Sequence, residues 1–286
     1  MNAQRRLAVL LMTLGAGAKS IEVIIADAAD EKALENLCAS TRVVVSTVGP
    51  YALYGEPLVK TCTRLGTDYC DLSGEAPWMR KMIEAYSNDA KKSGARIVHC
   101  CGFDSIPSDM GVRFLQEQSR LQFGVPSTKV KMRVKAMRGS ASGGTVASIV
   151  NIVREATHNP ALRKELVNPY SLCPPDAIKA SARQTNISGA VFDADFSGWS
   201  APFVMAAVNV RVVLRSNALL ANAYGREFRY DEAMLTGPGF SGRVKAIGIT
   251  AGLGAFVAAA AITPTRWLME KTLLPAPGDG PSPDAS

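Results

Sequence analysis

Hydrophobic and polar positions change period several times along this chain. Leu7, Leu10, Leu11 and Leu14 fall at helical spacing, and Gly15 and Gly17 predict the end of that helix. "IEVIIAD" (21–27) is a β-branched run closing on an acid and predicts a strand. "DEKALENLCAST" predicts a helix with Ala33, Leu34 and Leu37 inward. "RVVVST" then reads as an apolar strand, "GEPLVKTCTRLG" as a helix burying Leu58, Val59, Cys62 and Leu65, and "TDYCDL" as another strand. "PWMRKMIEAYSNDAKKSG" sets Trp78, Met82, Ile83 and Tyr86 on one face and ends at Gly94, before the strand "ARIVHCCG". Strands that alternate with helices of about 12 residues, and are apolar on both sides, predict an α/β fold with a parallel sheet covered on both faces.

From Thr128 the pattern switches. In "TKVKMRVKAM" the residues Val130, Met132, Val134 and Ala136 alternate with Lys129, Lys131, Arg133 and Lys135, which predicts one buried and one wet face, as in an antiparallel sheet. "SGGTVASIVNIVREAT" predicts a helix entered through glycines, "APFVMAAVNVRVVLRSNALLANAYG" a second helix, and "REFRYDEAML" a strand. The expected organisation is a nucleotide-binding domain over 1–123, an α+β substrate or dimerisation domain over 124–275, and a disordered tail over 276–286 ("APGDGPSPDAS"). Within the second domain, 246–262 ("AIGITAGLGAFVAAAAI") has no charge and is flanked by Arg243, Lys245 and Arg266. Two readings stay open for it, a buried or dimer-forming helix and a peripheral or re-entrant membrane contact; a full span, which needs about 20 apolar residues, comes third.

Composition narrows the classes. At 286 residues, 47% hydrophobic and 20% charged, the chain can bury a large core. Its formal charge of +7 comes from scattered residues with no aromatic interleaving, which argues against nucleic acid and for a phosphorylated cofactor or an anionic membrane. The six cysteines form no CxxC pair and read as reduced residues of a cytoplasmic protein. His99, Cys100 and Cys101 are consecutive, so strand alternation keeps them from converging on a metal, and no metal site is expected.

The chemistry should sit beyond the carboxyl ends of the parallel strands. Asp27 closes the first strand, where its carboxylate could meet a cofactor or cap the next helix. The loop Thr47, Val48, Gly49, Pro50 and Tyr51 gives close backbone approach at Gly49 and a rigid turn at Pro50, suited to a flat ring or a sugar. In "CGFDSIPSD" (101–109), Gly102, Phe103, Asp104 and Ser105 are candidates for the substrate, with Ser108 and Asp109 expected as the N-cap of the next helix. Ser142, Gly143, Gly144 and Thr145 open a helix whose free amides could receive an anion or a carbonyl.

"VVVSTVGPYALYGEPLV", "GTDYCDLSGE", "ARIVHCCGFDSIPSD", "MRGSASGGTVAS" and "YGREFRY" together resemble the saccharopine dehydrogenase-like oxidoreductases, in the branch of the trans-acting enoyl reductases. The resemblance implies a Rossmann domain holding NADP or NAD, a second α+β domain over the cleft, and reduction of a carbon–carbon double bond in a lipid-like acyl chain. It places the hydride donor against Thr47 to Tyr51 and carries over no catalytic residue. Members of this family open with a strand and a GxxGFTG-type phosphate loop. Here Met1 falls in what should be the second helix, so the sheet is expected to be incomplete and the chain an N-terminally truncated reading with impaired cofactor binding. Two rival readings are a membrane-associated protein that kept the fold without catalysis, and an oxidoreductase of C–N bonds of the saccharopine type.

Overall fold

The computed structural model describes residues 23–137, 143–175 and 182–272. In chain order the elements are α1 (Glu31–Ala39), β1 (Val43–Ser46), α2 (Tyr51–Tyr54), α3 (Glu56–Leu65), β2 (Asp68–Asp71), α4 (Ala76–Ser93), β3 (Ile97–Val98) and α5 (Ile106–Phe123). There follow β4 (Lys129–Val134), α6 (Gly143–His158), α7 (Pro160–Leu166), β5 (Val191–Asp193), β6 (Gly198–Pro202), α8 (Ala206–Leu219), β7 (Arg229–Gly237), α9 (Gly239–Ala261) and α10 (Thr263–Thr272). The helix predicted over 7–14, the tail 276–286 and Ser142 lie outside the described residues.

β1, β2 and β3 form a parallel sheet in that order, with Val44 opposite Tyr69 and Tyr69 opposite Ile97. This is the α/β parallel arrangement that the alternation predicts and the Rossmann type that the resemblance implies. α1, α3 and α4 pack side by side over one face, and Cys38, Val59, Cys62, Tyr69, Met79 and Met82 fill the space beneath them. α3, α4 and α5 each stop at a glycine in the left-handed region, Gly66, Gly94 and Gly124, where a side chain would be strained.

Several expectations change. Residues 23–27 form no strand, because they have no ladder partner among the described residues. Among the described residues, helices cover one face of the parallel sheet rather than both: Val44 packs inward, while Val43, Val45 and Val98 are exposed on the other side. Leu65 is exposed, and Thr61 and Thr63 take buried places on α3. Asp30, not Asp27, caps α1 by accepting from the Ala33 amide at 3.1 Å, and Asp27 accepts from Ala29 at 2.9 Å in a local turn. α5 begins at Ile106, so Ser105 is its N-cap residue and Ser108 and Asp109 lie within the helix.

The second sheet runs β4-β7-β6-β5. β4 pairs with β7 in parallel, Lys129 opposite Arg229, and only the β5–β6 and β6–β7 pairs are antiparallel. Alternation reports that one face is buried and is silent on strand direction, which is why the antiparallel expectation fails. The wet face of β4 also differs. Arg133 is buried between Asp193 and Asp231, with contacts of 2.6 Å to each, and Lys131 reaches Asp193 at 2.9 Å. Burial opposes charging of Asp193, but Lys131 and Arg133 outweigh it and hold its pKa below the usual carboxylate range. Residues 201–202, expected in a helix, belong to β6. α8 joins the two layers: Val208 packs with Tyr51 and Trp78 of the first core, and Val213 and Leu214 with Tyr224, Phe228 and Tyr230 of the second.

Candidate active site

At the carboxyl end of β1 the chain turns through Thr47 to Pro50, with a cis Gly49–Pro50 peptide, into the short helix α2. A helix start leaves backbone amides without partners. Here Glu75, at the start of α4, supplies the acceptors: its Oε1 accepts from the Tyr51 amide at 2.8 Å and its Oε2 from the Ala52 amide at 2.9 Å. Ser148 of α6 donates its hydroxyl to the same Oε1 at 2.7 Å. Glu75 is 1% exposed, so this carboxylate is held by protein donors rather than by water.

Tyr51 locks the loop from above. Its hydroxyl donates to the Ser46 carbonyl at 3.0 Å and accepts from the Leu72 amide at 3.2 Å. Burial pushes its phenol up to about 12. Its ring packs against Trp78, which leaves no space beside Gly55: a Cβ there would stand 2.5 Å from the indole. Gly49 differs, since a Cβ would meet only Tyr51, at an ordinary 3.6 Å.

The β3 loop is fastened to the same place. Asp71 Oδ1 accepts from the Ser73 amide at 2.9 Å and the Cys100 amide at 3.1 Å, and its carbonyl accepts from the Cys101 amide at 2.7 Å. These contacts hold Cys100 at φ 61°, an uncommon conformation for a side-chain-bearing residue. Asp71 Oδ2 also lies 2.6 Å from His99 Nδ1, and His99 sits edge-on to Trp78. Burial pushes the Cys100 thiol up to about 12, and its Sγ is turned inward to the Ser73 carbonyl.

Gly102 rests against Leu72, and Phe103 is 90% exposed. Ser105 donates to Asn209 Oδ1 at 2.8 Å, while Asn209 Nδ2 donates to the Asp104 carbonyl at 2.8 Å, Ser108 at 3.2 Å and Glu232 at 3.0 Å. Asn209 therefore fixes the loop that carries Asp104 and Ser105 to α8 and β7.

The structure thus ties Thr47 to Tyr51 to Glu75, sets Gly102 against Leu72, links α6, the helix that Gly143, Gly144 and Thr145 begin, to the same carboxylate through Ser148, and fastens Asp104 and Ser105 to Asn209. Asp27 has no part in this cluster, and Ser142 lies outside the described residues. Sequence reasoning missed Glu75, Ser148, Asp71, His99, Asn209 and Glu232. A signal existed for Asn209, a lone amide in the apolar run "AAVNVRVV"; Glu75 carried none beyond its place just after a strand.

Gly49 leaves room for an added methyl group, and the backbone of the loop is fixed through Tyr51 and Glu75. Among the described residues no strand leads into a glycine-rich phosphate loop. A broad cleft lined by Thr41, Arg42, Asp68, Gly94 and Arg96 opens at the opposite ends of the strands, away from these loops.

Residues 4–98 match the family described as the saccharopine dehydrogenase NADP binding domain. A candidate trans-acting enoyl reductase of Mycobacterium tuberculosis is 39% identical over 289 residues, covering 98% of this chain and 68% of the relative. A trans-acting enoyl reductase of Mycobacterium bovis is 37% identical over 298 residues, covering 98% and 69%. One from Mycobacterium ulcerans is 36% identical over 289 residues, covering 97% and 68%. No solved structure matches the chain.

Proposed function

The chain belongs to the trans-acting enoyl reductase family and is an NAD(P)H-dependent oxidoreductase, and from that premise we propose that it reduces the carbon–carbon double bond of a lipid-like acyl chain at the carboxyl ends of β1 to β3. The observation that carries this reading is the Glu75 clamp. One buried carboxylate ties the loop Thr47 to Tyr51 to α6, so the cofactor side and the substrate side of the cleft share a fixed point.

NADPH, when bound, supplies the hydride that the β-carbon of an enoyl group accepts. This chain's part is positional. Thr47, Val48, Gly49 and Pro50 offer the nicotinamide a backbone floor, and Tyr51 and Glu75 keep that floor from shifting. Phe103 offers apolar surface to the acyl chain, on a loop anchored through Ser105 and Asn209. The Tyr51 hydroxyl and the Cys100 thiol each donate inward, to the Ser46 and Ser73 carbonyls. The enzyme works in the cytoplasm in this reading.

NADPH titration followed by fluorescence, with Gly49→Val beside the parent, tests the proposal. A Cβ at Gly49 meets only the Tyr51 ring, at an ordinary 3.6 Å, so circular dichroism should be unchanged while binding weakens about tenfold, ~1.4 kcal/mol. Equal dissociation constants would move the cofactor off this loop. NADPH oxidation should be supported by trans-2-enoyl thioesters, more strongly as the chain lengthens. Oxidation supported only by imine-forming amino acid and keto acid pairs would replace the double bond with a C–N bond as the target.

A further inference from the structure

α9 is long and apolar enough to cross a membrane, yet it is seated on the protein along one side. Gly242, Ala246 and Ala260 are buried, and Ile249, Leu253 and Phe256 are half-buried at the same helical spacing, against β6, β7 and α6. The seat is tight at its start: a Cβ on Gly242 would stand 2.0 Å from the Gly237 carbonyl oxygen. The opposite side, Phe240, Val244, Ile247, Gly248, Ala251, Ala255, Ala258 and Ile262, is exposed throughout, with Phe240 at 80%. A soluble helix puts polar residues there. This one puts none.

Charge surrounds that face without entering it. At 100° per residue Arg243 and Lys245 fall on its two flanks near one end. α10 adds Arg266, Lys271 and an exposed Trp267, with the Lys271 ammonium 4.7 Å from the indole centroid. Over α9 and α10 the four cations Arg243, Lys245, Arg266 and Lys271 stand against one acid, Glu270. A second copy of the chain is a poor occupant for such a face. Parallel pairing of α9 would set Arg243 and Lys245 against the same two cations of the partner, and in either orientation α9 offers them no carboxylate. An anionic bilayer surface supplies both missing components, acyl chains for the apolar face and negative headgroups for its rim.

We propose that the outer face of α9, with Trp267 of α10, lies flat in the headgroup region of an anionic membrane, as a peripheral contact that leaves the inner face on the protein. It rests on the helix pair alone and not on the redox reading, and it gives an enzyme of apolar acyl chains direct access to the bilayer.

Flotation of the full chain with phosphatidylcholine vesicles, with and without about one third phosphatidylglycerol, tests it. The protein should float with the anionic vesicles and stay largely behind with phosphatidylcholine alone. Ile247→Asp with Ala258→Asp should abolish flotation while circular dichroism, melting temperature and NADPH affinity hold, because both positions are exposed. Lys245→Glu should weaken anionic binding roughly fivefold or more. The inference is overturned if the parent does not float, if the double variant floats as well as the parent, or if the double variant unfolds. It is also overturned if the parent is a dimer that the double variant dissociates, since α9 would then cover a second copy. Loss of NADPH binding in the parent would count against the redox reading and leave this one standing.

Discussion

Replacing Glu75 by Gln keeps the size of the side chain and changes one oxygen to an NH2. Glu75 meets three donors and no acceptor: the Tyr51 amide at 2.8 Å, the Ala52 amide at 2.9 Å and the Ser148 hydroxyl at 2.7 Å. Whichever way the new amide is flipped, its NH2 faces a backbone N–H that cannot turn away. If it replaces Oε2, Ala52 loses its acceptor. If it replaces Oε1, Tyr51 does, and only the Ser148 hydroxyl can rotate to accept. One charge-assisted bond is lost and one buried donor is orphaned, which together cost about 2–3 kcal/mol. For a chain of this length that is roughly 3–5 °C in melting temperature. Ser148→Ala leaves both backbone amides satisfied and should cost about 1 kcal/mol. The assay is a thermal melt of both single variants and the double variant, with NADPH titration alongside. The double variant should lose less than the sum, because Ser148 and Glu75 share one oxygen. NADPH affinity should fall with Glu75→Gln, since the floor of its loop is released. A Glu75→Gln protein that melts within 1 °C of the parent, about the noise of such a comparison, and binds NADPH equally well would refute the clamp.

Two further outcomes follow from features away from the clamp. Asp109 is buried beside Ser216, which donates to its Oδ2 at 2.9 Å, while its Oδ1 has no partner; burial raises its pKa despite that hydrogen bond and Arg113. A raised carboxylate pKa means the folded state holds the proton more tightly, so its contribution falls as pH rises from the unfolded value, about 3.9, through the folded one. Asp109→Asn should therefore stabilise the protein at neutral pH by about 1 kcal/mol, with the gain vanishing below pH ~4; urea melts across pH that show a constant or negative difference would contradict this. Gly242→Ala should lower the melting temperature by several degrees, because a methyl group cannot share space with the Gly237 carbonyl and β7 must yield; an unchanged melt would mean that α9 is not seated as described.

Much of the first layer was legible because its signals are local. Helices α1, α3 and α4 follow from apolar spacing, the last two closed by glycines, and the loops at Gly49 and Gly102 follow from where strands end. The second layer was less so. β5 and β6 are three and five residues long, with too few turns of alternation to stand out. The parallel pairing of β4 depends on β7, far along the chain, and no local pattern encodes that. The same reason hid most of the site. Thr47 to Tyr51 could be read from glycine and proline, but Glu75, Ser148 and Asn209 matter through partners 23 to 105 residues away. A buried acid that caps a distant helix looks in sequence like any other acid.

The pairing of Lys129 with Arg229 has a consequence for the order in which the protein is made. At about 5–20 residues per second, β4 leaves the ribosome roughly 5–20 seconds before the strand it must join. During that interval it is a half-apolar ribbon with an open edge, the kind of segment that recruits strangers. Lys129, Lys131, Arg133 and Lys135 give the waiting strand four positive charges and no acid, so two nascent copies repel each other in place of zipping together. Only when Asp193 and then Asp231 are synthesised can Lys131 and Arg133 be neutralised and drawn inward. The cations paired in the finished sheet are thus the same charges that set an unpaired β4 against its own copies, and Asp193 and Asp231 neutralise them once the later strands are made.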